Sequence, residues 1–170
     1  MRDITDLLAA FCDSLDRQIE LLGRLREVAE QKKPVIISGE VTQLDALMRQ
    51  ENVLLQTLNK TEQQRLREQA ELARALGADS SAMTASVLIE RVREIDKERA
   101  LIVKAKVDTL AFHLQGLKTL NNQIAELLEQ SLGFIESLEE LISGARDTTY
   151  QPRGYANQNP NLRGLFDKKI

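Results

Sequence analysis

Tryptophan is missing from the sequence, cysteine and histidine occur once each, and aromatic residues make up only 4% of the chain. Each scarcity removes a class of protein. A lone Cys12 can form no internal disulfide and has no companion Cys or His for a zinc site, which points to a reducing compartment and a small buried thiol. With one imidazole, no Ser, His and acid grouping can be assembled, and no Gly-rich loop follows a strand pattern. No catalytic residue, no cofactor and no metal are therefore expected, and the chain reads as non-enzymatic. No segment approaches the ~18 consecutive apolar residues of a membrane span. The opening Met-Arg-Asp-Ile-Thr-Asp carries two acids early and no apolar run, unlike a secretory signal. A cytoplasmic protein without membrane insertion is expected. Nor is there charge of one sign: 23 Lys and Arg stand against 26 Asp and Glu, interspersed through the body, a balance that disfavours nucleic acid as a partner.

What remains is aliphatic and helical. The sequence is 42% hydrophobic and 29% charged, and Leu recurs at nearly every turn from Leu7 to Leu141. Ile4, Leu8, Phe11, Leu15, Leu22, Leu25 and Ala29 keep a spacing of four then three, interrupted only by Gln18, and predict a seam-bearing helix ending before Pro34. A second helix is predicted from about Ser38 or Glu40 to Leu76, with Val41, Leu44, Met48, Leu55, Leu58, Leu66, Ala73 and Leu76 on its stripe. Glu51, Glu62 and Gln69 fall on the same stripe, and Gly77 supplies the C-cap. After the turn at residues 77–81, Thr84 or Ser80 can cap a further helix, and a long Leu- and Ile-rich helix runs from about Ile95 to Ile142, with a break allowed near Arg93–Glu98. Three helices of about 30 to 45 residues would each extend ~45 to 65 Å. The fold class is thus all-α: an elongated antiparallel three- to four-helix bundle with coiled-coil-like packing, spanning 1–144.

Residues 145–170 differ in character. They hold two of the three Pro and both Tyr, and Arg146, Arg153, Arg163, Lys168 and Lys169 outnumber Asp147 and Asp167. A flexible basic tail is expected there. Within it Leu162, Leu165 and Phe166 stand at i, i+3 and i+4, the spacing of a short recognition helix. The Leu stripes themselves read first as core, yet neighbouring pairs such as Leu127 and Leu128 give a helix two apolar faces, more than one seam consumes. His113 is the one enzymatic candidate, because phosphotransfer bundles carry phosphate on such a residue within a His-x-Leu-Lys-Gly pattern. Here Gly116 comes one residue early, behind Gln115, and a structural histidine is the better reading.

The stretch from Asn121 and Asn122 through Leu127, Leu128, Ser131 and Leu132 to Phe134 and Ile135, followed by Thr149, Tyr150 and Gly154, resembles the C-terminal half of FlgN-type flagellar export chaperones. Leu44, Glu51, Leu54 and Leu55, followed by Arg65 and further helix, are similar to the family's leucine and glutamate repeat, and Leu165-Phe166-Asp167-Lys168-Lys169 to its tails. The resemblance implies a cytoplasmic chaperone that binds the C-terminal helical segment of hook–filament junction proteins, prevents their premature assembly and delivers them to the export gate of the flagellar type III apparatus. It implies a client-engaging C-terminal part, with Leu127, Leu128, Leu162, Leu165 and Phe166 as candidate contacts, and an exposed Tyr at the gate, either Tyr150 or Tyr155. Without the resemblance, the same seams would serve a coiled-coil scaffold or adaptor that forms a homodimer.

Overall fold

The computed structural model describes residues 3–78 and 83–143, with side chains as far as Glu139. Of the described residues 93% are helical and none lies in a strand. Four helices follow one another: α1 (Ile4–Ser38), α2 (Val41–Ala75), α3 (Ala85–Ile95) and α4 (Lys97–Ser143). The all-α bundle expected from the Leu spacing is what forms. The chain divides into two compact units, Met1–Leu132, which holds the bundle, and Gly133–Ile170, which begins inside α4.

The helix ends are written in the local sequence. Gly39 takes a left-handed φ of 71°, which lets its N–H reach the carbonyl of Ile36 at 3.2 Å and the N–H of Glu40 reach Val35 at 3.1 Å. Gly77 repeats the device at φ 68°, with N–H bonds from Gly77 to Arg74 and from Ala78 to Ala73. Both pairs make the Schellman closure, in which a residue without Cβ turns its own amide and the next one back onto the last carbonyls. Thr84 caps α3 by accepting the Val87 N–H, and Asp96, in extended geometry, breaks the chain between α3 and α4 and accepts the Arg99 N–H. One boundary differs from the sequence expectation. α1 does not stop before Pro34 but runs through it for another four residues. Burial explains this: Ile36 is packed into the core, and the closure at Gly39 lies a full turn beyond the proline, so the one missing amide bond is outweighed.

α1 supplies the spine. Leu8, Phe11, Leu15, Leu22, Leu25 and Ala29 are all buried, as their spacing requires, together with Leu7, Leu21 and Val28 on the flank. α2 packs antiparallel to it, and the polar residues on both seams meet. Buried Gln18 donates to Glu62 at 2.7 Å, and buried Lys32 donates to both oxygens of Glu51 at 2.7 and 2.9 Å. Arg65 holds Glu62 and Gln69 on its own helix, and Gln69 donates to the Met83 carbonyl at 2.8 Å. The three polar interruptions of the second stripe therefore each have a partner. Buried polar groups that are paired cost little, whereas unpaired ones cost the whole of their desolvation.

α4 runs in the same direction as α1, since Lys106 pairs with Asp16 and, further on along both helices, Arg26 lies over the Phe112 ring at 5.8 Å. The same arginine lies against Gly116, where a Cβ would meet its guanidinium carbon at 3.4 Å, an ordinary van der Waals contact. Of the expected α2 stripe, Leu58 and Ala73 are buried and Leu44, Leu55 and Leu76 half-buried, but Val41, Met48 and Leu66 are exposed, and Leu54 and Leu72 are buried beside it. Leu101 of α4 is also exposed.

Candidate partner-binding face on the last turns of α4

A seam is useful only as far as something covers it. Along α4 the seam residues Val103, Leu110, Leu117, Leu120 and Ile124 are buried. The three-and-four spacing does not stop at Ile124. It continues through Leu127, Ser131, Phe134, Leu138 and Leu141, with Leu128, Leu132 and Ile135 beside it. Leu127 and Ser131 are half-buried, and then exposure rises: 60% at Leu132, 64% at Phe134 and 51% at Ile135. The apolar spacing is unchanged across this rise in exposure, so the change is not one of sequence pattern.

Charge on this stretch has one sign. Between Lys118 and Arg146 the sequence has no Lys or Arg and has Glu126, Glu129, Glu136, Glu139 and Glu140. An apolar stripe rimmed by carboxylates suits an amphipathic helix with basic flanks. Gly133 sits within the stripe with open space where a Cβ would be, and Ser137 bonds back to its carbonyl at 2.9 Å. A glycine in a helix interior weakens it by about 0.5–1 kcal/mol, and such back-bonding favours bending.

Of the residues singled out from sequence, Leu127 is half-buried and Leu128 is 38% exposed, so both lie at the start of the stripe and not at its most open part. Tyr150, Tyr155, Leu162, Leu165 and Phe166 lie outside the described residues. The more exposed Leu132, Phe134 and Ile135 carry part of the family resemblance but are not candidate contacts in the sequence reading, because spacing alone does not report exposure.

His113 is half-buried, its ring edge-on to Phe112 at 5.9 Å, and its Nδ1 is buried without a hydrogen-bond partner. Lys106, two turns earlier on α4, is engaged with Asp16. That environment is one of packing. Cys12 is half-buried in a shallow cleft shared with Thr5, Leu8, Ala9, Arg99 and Ile102. Burial pushes its thiol above its ordinary value, partly opposed by Lys106. Among the described residues no group of three or more His, Cys, Asp and Glu is placed to hold a metal ion, and no helix is long and apolar enough to cross a membrane.

Comparison with known proteins agrees with the resemblance seen in the sequence. Neither curated proteins nor solved structures give a match. A family described as FlgN protein, however, matches over residues 1–158, which takes in all four helices. On that coverage the chain belongs to the FlgN family, the flagellar export chaperones.

Proposed function

We propose that the last turns of α4 hold the C-terminal helical segment of hook–filament junction proteins, keep it from assembling prematurely in the cytoplasm, and present it to the flagellar export gate. The observation that carries this reading is the seam that stays apolar after its cover ends, from Leu127 and Leu128 through Leu132, Phe134, Ile135 and Leu138. A client helix laid there completes the same leucine packing that α1 supplies to the earlier part of α4. Fully burying one large apolar side chain is worth about 1.5–3 kcal/mol, so three or four of them give a usable affinity after ordering costs are met.

Leu162, Leu165 and Phe166 form the second client contact in this proposal, and Tyr150 or Tyr155 touches the gate. No catalytic step is needed. Client transfer requires only a gate that competes for the tail or for the client, and His113 has no part in it. A self-paired scaffold is the weaker reading, since two copies of the α4 stripe would set carboxylates against carboxylates.

Titration of the full chain with a peptide of the client's C-terminal helix tests the proposal. Phe134→Asp with Leu138→Asp should cost at least ~2 kcal/mol of binding while leaving helix content unchanged. Leu165→Asp with Phe166→Asp should weaken binding by a similar amount, and Tyr150→Ala should spare binding but reduce secretion. Unchanged affinity in the Phe134 and Leu138 double variant would remove α4 as the client face.

A further inference from the structure

We propose that in the client-free chain the segment around Leu162, Leu165 and Phe166 lies on the α4 face made by Phe134, Ile135 and Leu138, so that the chain carries its own occupant for that face. The inference rests on the client-face reading above and adds what covers the face before a client arrives. Three observations identify the occupant.

The first is exposure. Phe134 and Ile135 are more than half exposed and Leu138 is 39% exposed, on one side of a helix whose earlier seam is closed. Apolar side chains gathered this way call for cover in water.

The second is charge. The α4 stretch has five carboxylates and no base between Lys118 and Arg146, whereas residues 146–170 have Arg146, Arg153, Arg163, Lys168 and Lys169 against Asp147 and Asp167. Opposite signs favour the tail. A second copy of α4 brings like charge to like charge and is disfavoured by the same Coulomb term. Leu162, Leu165 and Phe166 are flanked by Arg163, Lys168 and Lys169, so the apolar and basic features of the tail fall together, as they must to match a stripe rimmed by Glu136 and its neighbours.

The third is reach. The chain between Ser143 and Leu162 can extend to ~60 Å at about 3.4 Å per residue, while the way back along the helix from Ser143 to Phe134 is only ~14 Å. Pro152, Gly154 and Pro160 provide turn positions in that connection. Tethering at this length gives an effective concentration on the order of millimolar, so a weak contact suffices to populate the covered state. A weak contact is also one that a client helix can displace, after which Leu162, Leu165 and Phe166 are released for the second client contact.

Cysteine pairing in the full chain tests the inference. In a Cys12→Ser background, Ser137→Cys is combined either with Gly164→Cys or with Asn157→Cys, and disulfide formation is followed under mild oxidation. An unstructured tether favours the nearer Asn157 position by about 1.5-fold. Docking reverses the order, and the Gly164 pair should close about fivefold faster than the Asn157 pair. Lys168→Glu with Lys169→Glu should bring it back toward the Asn157 rate. Excess client helix peptide should suppress the fast closure. Equal rates, or the tether order, in a chain that still binds client at α4 would overturn the tail inference and leave the client face standing. Fast closure that client does not suppress would support the docked tail and remove the proposed client face. Disulfides formed mainly between chains would show a second copy as the occupant and overturn the inference.

Discussion

Replacing Lys32 by Met isolates what the paired polar residues contribute to the bundle. Lys32 Nζ donates to both Glu51 oxygens, and the two side chains keep only 9% and 19% of their exposure. Methionine fills much the same volume, so the core is preserved and the carboxylate of Glu51 loses its partner. Removing one member of a fully buried ion pair costs about 3–5 kcal/mol. Glu51 retains a path to water, which lowers the expectation to about 2–3 kcal/mol, or a fall in Tm of about 5–10 °C for a chain of this size. The companion variant, Lys32→Met with Glu51→Leu, has no orphaned charge and should return to within about 1 kcal/mol of the parent, or exceed it. Urea titration followed by far-UV circular dichroism measures both, and the m-value should stay constant if only stability changes. If Lys32→Met alone lies within about 0.5 kcal/mol of the parent, Glu51 is adequately solvated without Lys32 and the pair is a surface bridge of little worth.

The helix ends and the thiol give further tests. Gly39→Ala places a Cβ at φ 71° and should destabilise by about 1 kcal/mol in the same titration, with no steric clash to add to it. Pro34→Ala restores an amide aimed at the Glu30 carbonyl and should stabilise by about 1–2 kcal/mol; a loss instead would mean that the proline's rigidity in the unfolded chain outweighs the bond. Because burial raises the Cys12 pKa, the folded state keeps a proton that the unfolded state releases. Its contribution is complete below the ordinary thiol value and is lost as pH rises through the raised one, so alkaline stability should decline more steeply in the parent than in Cys12→Ser. At neutral pH, maleimide should label native Cys12 more slowly than the urea-unfolded chain.

Punctuation and periodicity were legible in the sequence, and rotation and cover were not. Gly39, Gly77, Thr84 and the break at Asp96 act through their own backbone and nearest neighbours, so local reading finds them. Pro34 misleads because its local cost is real but smaller than the burial of Ile36, a tertiary term. Leu54 and Leu55 show why only part of the α2 stripe is legible: adjacent leucines satisfy two spacings, and tertiary packing selects Leu54 for the core and leaves Met48 and Leu66 outside. The candidate face follows the same rule. Leu127 and Leu128 stand out in the sequence as a pair, but what distinguishes Phe134 and Ile135 is their greater exposure among the described residues, which spacing cannot report.

Gln18 with Glu62 and Lys32 with Glu51 carry a further consequence, in selectivity. A bundle made almost wholly of leucine has little to distinguish its own helices from any other leucine-rich amphipathic helix, and an export chaperone works among such helices. An invading segment that displaced α2 would have to offer an acceptor at the height of Gln18 and another at Lys32, fourteen residues apart along α1, or leave a buried amide and a buried ammonium unmatched. The two rungs thereby penalise any exchange of α2 for a helix that lacks matching acceptors.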